Sequence, residues 1–229
     1  GHDGNRGEAV LWASQIGAAT EHLGAYQGHG NVAHPHGILI TWATITEGGV
    51  QVNAAGERFW NEAQGYSEAA RAVLSQAQGE AYAIFDGRIS EIAEQFEDFK
   101  RAKSEGAIKS AETLEELAED LGLPADTLCK TIADISPNST DRFGRTFGET
   151  VLSPPFCGVR VTGALFHTQG GLKVDTSARV ICKNGSIISN LYAGGGAACG
   201  VSGSGDSGYL SGNGLLAAVV LGRIAGKAS

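Results

Sequence analysis

The segment ALFHTQGGLKVDTSARVICKNGSIISNLYAGGGAACGVSGSGDSGYLSGNGLLAAVVLGRIAGK, residues 164–227, is the most informative part of this chain. Within it, a polar, glycine-dense stretch runs directly into an apolar stretch with small residues. This order predicts a loop that exposes its backbone and leads into the N-terminus of a final helix. Such a junction suits an anion or the polar edge of a ring. Glycine density alone would favour a flexible surface linker, which is the alternative interpretation.

The composition excludes several classes of function. The 229 residues include 34 glycines and carry a formal net charge of −8. Binding to nucleic acid needs a concentrated basic face, which no segment supplies, so no nucleic-acid partner is expected. The sequence has no secretory signal, lipidation motif or long apolar span, and it therefore predicts a soluble, cytoplasmic protein with no membrane partner. The length allows one large or two small domains.

The cysteines and histidines do not form a pattern typical of metal binding. No CxxC pair occurs, and this argues against a zinc site and against a disulfide framework for Cys129, Cys157, Cys182 and Cys199. We expect these four to be reduced, mostly buried thiols. The His34-Pro35-His36 tripeptide has no accompanying cluster of Asp, Glu or Cys. No metal site is therefore expected.

Hydrophobic periodicity predicts several helices. The first spans Gly7–Ala19, with an apolar face formed by Val10, Leu11, Ala13, Ile16 and Ala18. The segments Tyr66–Leu74 and Leu114–Leu121 are also predicted to be helical. The sequence Ser110-Ala-Glu-Thr113 can cap the helix at Leu114, Gly122 ends it, and Pro124 starts the next helix.

Strand-like alternation runs through Ile38–Phe59, where Asn53–Gly56 is a turn signal between two strands. The segment Ala81–Phe85 is typical of a buried strand that ends at Asp86.

Three motifs of the tail resemble the C-terminal end of the flavoproteins of the fumarate reductase, 3-ketosteroid dehydrogenase and tricarballylate dehydrogenase superfamily. They are HTQGG at 167–171, LYAGGG at 191–196 and LGRIAG at 221–226. Two earlier motifs, VNAAGERFWNE at 52–62 and AYAIFD at 81–86, are similar to the capping domain of that family. The resemblance implies an α+β capping domain, residues 35–159, inserted in an incomplete α/β, Rossmann-like FAD-binding domain formed by residues 1–34 and 160–229.

The same resemblance implies that a part of the cofactor site lies elsewhere. The GxGxxG motif that binds a dinucleotide does not occur in these residues. The chain contains no methionine and opens at Gly1-His2-Asp3-Gly4, where the family has a GDG turn deep inside the protein. We therefore expect an internal-to-C-terminal piece, whose partner is a separate N-terminal FAD-binding segment and which is inactive alone.

The function implied by the resemblance is that of an FAD-dependent oxidoreductase acting on a CH–CH bond next to a carbonyl or carboxyl group of a small molecule. In such enzymes hydride moves between flavin N5 and a carbon, and a protein group moves a proton. His167 falls where the family keeps a histidine that contacts the substrate's carboxylate or carbonyl. Cofactor-binding residues implied in the same way are Gly170 and Gly171 beside the isoalloxazine ring, and Gly195, Gly196, Asn213, Gly214 and Leu215 near the ribityl chain and pyrimidine edge.

Four departures from the fumarate reductase pattern bear on the substrate. The proton-donor arginine of those enzymes corresponds to Tyr66, and the acid and arginine that supply its protons correspond to Trp42 and Ile45. The arginine that clamps a substrate carboxylate corresponds to Tyr209. Fumarate is therefore not the expected substrate, and the two tyrosines are instead similar to those of the ketosteroid and tricarballylate branches. A further departure is Gly196, where the family usually has a glutamate that reaches a ribityl hydroxyl.

Two alternatives remain open from the sequence. Tyr66 can be a packing residue of the capping domain rather than a catalytic one. The whole protein can also be a catalytically inactive scaffold of the flavin family that only binds a ligand or a partner chain. The substrate, the electron donor or acceptor, and the direction of the reaction do not follow from the sequence.

Overall fold

A computed structural model describes residues 4–206 and 208–228. The described chain divides into two compact units, one of residues 28–164 and one of residues 4–27 with 165–228. The boundaries expected at 34/35 and 159/160 lie seven residues after the first division and five before the second, and the assignment of the units as capping and FAD-binding domains stays a prediction. The Gly1-His2-Asp3 part of the predicted opening turn lies outside the described residues.

Eight helices and ten strands are defined among the described residues. The helices are α1 (Glu8–Gln15), α2 (Ala43–Thr46), α3 (Tyr66–Leu74), α4 (Gly87–Ala93), α5 (Glu97–Ser104), α6 (Leu114–Leu121), α7 (Ala125–Ala133) and α8 (Asn213–Ala228). The strands are β1 (Thr20–Glu21), β2 (Tyr26–Ala33), β3 (Ile38–Leu39), β4 (Val50–Val52), β5 (Glu80–Asp86), β6 (Ile108–Ala111), β7 (Phe156–Thr168), β8 (Gly171–Leu172), β9 (Arg179–Ile181) and β10 (Ile187–Tyr192).

Residues 28–164 contain one six-stranded sheet, to which Tyr26 and Gln27 at the start of β2 and the last residues of β7 also belong. Its strand order is β3-β2-β7-β5-β4, and β6 pairs with the first residues of β7. The β5–β7 pair is antiparallel and sets Phe85 opposite Cys157. The burial of apolar side chains on both faces of the sheet explains why β5 reads as an apolar run rather than as an alternating one.

Helices cover the two faces of this sheet and form two apolar clusters. Phe85 packs with Phe99 of α5, the ring centroids being 6.0 Å apart, in the cluster that also includes Ile89 and Val159. The second cluster, on Ile84, contains Leu117 of α6 and Leu128 of α7 among its fully buried members.

Several predicted elements are confirmed with their ends. Helix α3 spans the predicted residues, and α6 begins with a capping box in which Thr113 and Glu116 bond each other's backbone N–H. Gly122 ends α6 in the left-handed conformation, at φ 70°. The turn at Asn53–Gly56 is also present, with a hydrogen bond from Gly56 N to Asn53 O of 2.9 Å.

The first predicted helix was too long. Helix α1 ends at Gln15, and two members of the predicted apolar face are exposed, Leu11 by 63% and Ile16 by 49%. Ala18 is buried, but in a bridge to Cys182 rather than in the helix. A long-range pairing therefore ended the helix where local periodicity would have continued it.

Other differences come from segments that the periodicity misread. The histidine- and glycine-rich stretch before His34 forms the buried strand β2, and helix α2 interrupts the region predicted to be extended after Ile38. Helices α4 and α5 and strand β6 were not predicted. Ser110 lies in β6 rather than capping a helix.

The unit of residues 4–27 and 165–228 has short antiparallel pairs, β1 with β8 and β9 with β10, together with α1 and α8. Its small core contains Ala13, Leu172 and Val180. Helix α8 leaves apolar side chains exposed, including Leu215 at 80% and Val219 at 69%.

Candidate functional site

A chain of side-chain hydrogen bonds joins the HTQGG segment to the start of α8. Gln169 Nε2 lies 2.8 Å from His167 Nδ1, and Asn213 Nδ2 donates to Gln169 Oε1. The backbone N–H of Val201 donates to Asn213 Oδ1 at 2.9 Å. Gln169 and Asn213 are only 3% and 2% exposed. The structure thus brings together two predicted site residues, His167 and Asn213, through Gln169, which the sequence analysis did not single out.

The paired glycines of HTQGG lie against the backbone of their own unit. A Cβ added to Gly170 would lie 2.2 Å from the carbonyl oxygen of His22, and one added to Gly171 would lie 2.5 Å from the carbonyl carbon of Ala198. Side chains cannot be accommodated at such distances without a backbone shift. Contacts within the chain therefore explain both glycines, and the approach of an isoalloxazine ring to them stays a prediction.

The glycines of the later motifs have different surroundings. Gly195 has a φ of 55°, and its added Cβ would be 3.5 Å from Cβ of Ala218 in α8. No described atom lies within 4 Å of a Cβ built on Gly196. A Cβ on Gly214 would lie 3.1 Å from His167 Nε2. Gly214 therefore leaves room for the imidazole, and Gly196 borders open space.

The N-terminus of α8 is the positive end of the longest helix among the described residues. The first N–H groups of a helix have no partner inside the helix, and a helix of 16 residues has a positive dipole end there. Leu216 N bonds Gly212 O at 3.0 Å, so the regular hydrogen-bond ladder starts at that point. The residues that would hold the flavin here are Gly195, Gly196, Gly214 and Leu215, through their backbones. The Asn213 side chain is already used by Val201 and Gln169.

Tyr209 lies half-buried in the loop that precedes α8. The next residue, Leu210, is fixed on both of its backbone groups. Its N–H donates to Ser202 Oγ at 2.9 Å, and its carbonyl accepts from Asn213 N at 3.1 Å. The loop is thus tied to the same asparagine that begins the chain of hydrogen bonds toward His167.

Tyr66 belongs to the other unit, where it is part of an aromatic cluster. It is the first residue of α3, and its ring stacks on His29 with centroids 5.1 Å apart and 19° between the planes. Trp42 meets both rings edge-on, at 5.9 Å from His29 and 6.4 Å from Tyr66. The packing interpretation of Tyr66 therefore has direct structural support, and its catalytic role stays a prediction.

His29, which stacks on Tyr66, is a buried histidine that the sequence analysis did not single out. Burial lowers the pKa of its imidazole to about 4, and its Nδ1 accepts a hydrogen bond from Asn31 N at 3.2 Å. The ring is therefore neutral at physiological pH. The only sequence signal for it was a histidine between two glycines, and that pattern is equally typical of a loop.

The VNAAGERFWNE motif contributes a buried cluster of charges. Arg58 bonds Glu62 through Nε at 3.0 Å and also pairs with Asp141, while Arg145 Nη1 lies 3.2 Å from Glu62 Oε2. Burial alone would raise the pKa of Asp141, but the hydrogen bond and charge of Arg58, together with the backbone N–H groups of Arg145 and Phe143, hold the pKa below its usual value. Each of these charges has an opposite partner, so removing the arginine or the glutamate of this motif would leave a buried charge unpaired.

His34, from the His34-Pro35-His36 tripeptide, has a simple structural explanation. His34 Nε2 lies 3.1 Å from Glu80 Oε1, so this histidine pairs with a carboxylate across the sheet. In the part of the chain that the structure describes, none of the helices has both the length and the apolar character that a membrane span requires.

Comparison with known proteins identifies the relatives of this chain. Residues 1–215 match the model of a family described as an FAD binding domain. The chain is 31% identical over 225 residues to "Probable fumarate reductase Ifc3" of Shewanella frigidimarina, which covers 96% of this chain and 37% of that protein. It is 37% identical over 205 residues to "NADH:acrylate oxidoreductase" of Vibrio harveyi, with coverage of 84% and 20%.

A solved structure agrees with these sequence relatives. The open conformation of a flavocytochrome c3 fumarate reductase superposes with a TM-score of 0.72 at 28% identity, covering 96% of this chain and 39% of that one. The chain thus spans well under half of the length of the relatives it matches. The family match confirms FAD as the predicted cofactor. Because that match extends over residues 1–215, the chain belongs to the family described as an FAD binding domain.

Proposed function

We propose that this chain is the substrate-binding and isoalloxazine-side part of an FAD-dependent oxidoreductase that acts on a CH–CH bond next to a carbonyl or carboxyl group. One observation carries the proposal. His167 is linked through Gln169 to Asn213 at the start of α8, so a polar group suited to a substrate oxygen lies beside a helix end suited to a flavin. When bound, FAD supplies hydride acceptance or donation at the substrate carbon.

The residues of this chain supply position, charge and proton transfer. His167 binds the activating oxygen of the substrate, and the N-terminus of α8 stabilises negative charge on the reduced ring. Tyr209 moves the proton at the carbon next to the one that exchanges hydride. Tyr66 is proposed as a second catalytic phenol, and its ring stacks on the neutral imidazole of His29.

The proposed substrate is an enoate or enone, or its saturated counterpart, rather than fumarate. Tyr66 and Tyr209 take the positions of the arginines that serve a dicarboxylate in the fumarate reductase pattern. One relative is named an NADH:acrylate oxidoreductase, and acrylate has a single carboxylate. A binding site for one carbonyl or carboxyl group is consistent with the single imidazole at His167.

The proposed arrangement of the protein is a capping domain, residues 35–159, inserted between two segments of an FAD-binding domain, residues 1–34 and 160–229. An N-terminal segment outside this chain would complete the adenine side of the site. The exposed apolar side chains of α8, among them Leu215 and Val219, support a covering partner for this helix. The chain is proposed to be inactive without that segment and to act in the cytoplasm.

The test uses the full-length protein that contains the N-terminal segment. We expect flavin absorbance in the purified protein, and we expect bleaching or reoxidation of the flavin by a simple enone, an enoate or a saturated ketone. Absence of flavin after reconstitution with FAD would reject the proposal. If flavin is bound but no compound or artificial electron acceptor gives turnover, a binding scaffold is the correct interpretation.

Tyr209→Phe tests the proton-transfer role. Removing the phenolic oxygen is expected to lower kcat about 10²- to 10⁴-fold, since this is the usual contribution of a general acid or base. Tyr192→Phe is the matched control, because Tyr192 lies in the same unit and its hydroxyl bonds Ala228 O at 2.8 Å instead. Steady-state kinetics measures kcat for both variants. Equal rates for Tyr209→Phe and the control would show that Tyr209 is not the proton-transfer group.

A further inference from the structure

The hydrogen-bond chain that ends at His167 begins at a group whose polarity is fixed. The backbone N–H of Val201 can only donate, so the Asn213 atom that faces it at 2.9 Å has to be the side-chain oxygen. This assignment depends on the chemistry of the backbone amide and not on the choice between amide oxygen and nitrogen in the side chain. Asn213 Nδ2 is then the group left to face Gln169.

The same polarity continues through Gln169. Asn213 Nδ2 is a donor, so it requires Gln169 Oε1 opposite it, and Gln169 Nε2 is left to face His167 Nδ1 at 2.8 Å. Gln169 is held in place from both sides, because its N–H donates to Ala25 O and its carbonyl accepts from Gly200 N, each at 2.9 Å. The side chain is buried and cannot exchange its partners for water.

The orientation of Asn213 is fixed by equally close packing. A Cβ added to Gly200 would lie 2.7 Å from Asn213 Nδ2, so the backbone at Gly200 runs directly over the amide. At His167, where this series of hydrogen bonds ends, the ring nitrogen that carries the proton remains to be assigned. A nitrogen that faces an N–H donor has to be the unprotonated one.

We infer that Gln169 and Asn213 are positioning residues that hold His167 in the tautomer protonated at Nε2, so that His167 donates a hydrogen bond to the substrate and does not accept a proton from it. Nε2 faces the side of the ring next to Gly214, where a Cβ would lie 3.1 Å away. This inference rests on the proposed function for the identity of the acceptor, a carbonyl or carboxylate oxygen of the substrate. The tautomer itself is a property of the free protein.

The inference also divides the chemical roles within this unit. A locked Nε2–H donor stabilises negative charge that develops on the substrate oxygen. The protonated Nε2 cannot act as the base in the same step, so proton abstraction is left to a different group such as Tyr209. The direction of the amide chain therefore determines which residue handles the proton.

The experiment measures the tautomer of His167 directly by long-range ¹H–¹⁵N correlation NMR on the whole labelled chain, above about pH 8, where ordinary imidazoles are neutral. His167→Gln identifies the signals by their loss. In the unmodified protein we expect a protonated Nε2 and an unprotonated, pyridine-like Nδ1. A scalar coupling across the hydrogen bond from the Gln169 amide to Nδ1 is expected as well. A proton on Nδ1 in the unmodified protein would overturn the inference without any variant.

Two nearly isosteric variants reverse the order of donors and acceptors in the hydrogen bonds that lead from Asn213 to His167. In Asn213→Asp, both carboxylate oxygens accept, so Gln169 has to turn its Nε2 toward the aspartate and present Oε1 to His167. In Gln169→Glu, a carboxylate oxygen faces His167 directly. Both changes require a proton on Nδ1, and we expect the tautomer to switch to the form protonated at Nδ1. Retention of the Nε2–H tautomer in both variants, with the fold intact by circular dichroism, would contradict the inference.

Asn184→Asp is the control for the added negative charge. Asn184 lies in the same unit, but its Oδ1 accepts from Ser186 N at 3.0 Å and takes no part in the chain toward His167. We expect its His167 signals to match those of the unmodified protein. A switch of the tautomer in this control would show that charge alone, and not the amide chain, governs His167.

The activity of the full-length protein separates this inference from the proposed function. Asn213→Asp is expected to lower kcat/KM roughly 10- to 100-fold, since a donor to a developing anion is lost. If the tautomers behave as expected but the full-length protein shows no turnover, the proposed function fails while the inference about the amide chain holds. If turnover is present and the tautomer does not respond, the reverse conclusion applies.

Discussion

At the scale of single residues, burial sets the state of His29. An imidazole with a pKa of about 4 in the folded chain takes up a proton in the unfolded chain at a higher pH, near 6.5. The unfolded state therefore binds more protons between about pH 6.5 and 4, and stability contributed by the neutral ring is lost as the pH falls through this window. Above that window the contribution is fully present. The stacked Tyr66 gives the neutral ring an additional partner.

We expect His29→Gln to weaken the pH dependence of stability. The lowered pKa corresponds to about 3 kcal/mol of unfolding free energy lost on acidification, and a glutamine does not titrate. Urea unfolding near pH 7 and near pH 4.5, followed by circular dichroism, measures the difference. His36→Gln is the control, because His36 is exposed. Equal acid sensitivity of the unmodified chain and His29→Gln would show that His29 is not the titrating group.

At the scale of secondary-structure elements, close backbone approach within the chain accounts for the lack of a side chain at both glycines of HTQGG. Strand β8 begins at Gly171. Gly170 lies against the backbone of His22, and Gly171 lies against the backbone of Ala198. Sequence reasoning identified the glycines correctly as positions without room for a side chain. It did not foresee the contacts with His22 and Ala198, because a contact between segments so far apart in sequence has no local signal, and the approach of a flavin ring to these glycines stays a prediction.

Gly170→Ala is expected to destabilise the chain by about 2 kcal/mol or more, since its Cβ would lie 2.2 Å from the carbonyl oxygen of His22 and the backbone would have to shift. Thermal unfolding measures the loss. Gly24→Ala is the control in the same unit, because no described atom lies within 4 Å of a Cβ built there and its φ is not positive. Similar unfolding temperatures for the two variants would contradict the packing explanation.

At the scale of the whole molecule, α8 shows that this chain leaves apolar surface uncovered. In this helix, Asn213–Ala228, the side chain of Leu215 is 80% exposed and that of Val219 is 69% exposed. Large exposed apolar faces mark surfaces that a partner covers, and in isolation they promote association. The chain also spans 37% of one relative and 20% of another.

We expect Leu215→Lys to reduce self-association and binding of a hydrophobic dye by the isolated chain, with the unfolding free energy changed by no more than about 0.5 kcal/mol. Light scattering and dye fluorescence measure the effect. Val151→Lys is the charge-matched control, since Val151 is also exposed, at 45%, but lies in the other unit. If Leu215→Lys and Val151→Lys reduce self-association and dye binding equally, the reduction comes from the added charge and not from the apolar face of α8.

The sequence by itself determined the elements whose signals are local: the capped helix α6, the helix α3, the buried strand β5 and the start of α8 at Asn213. Ordered motifs also identified the family. Only the tertiary structure decided that α1 ends at Gln15, that His29 is buried against Tyr66, and that Gln169 links His167 to Asn213. The reason is physical: caps and periodicity act within a few residues, whereas burial and side-chain polarity depend on partners that the fold brings from distant parts of the chain.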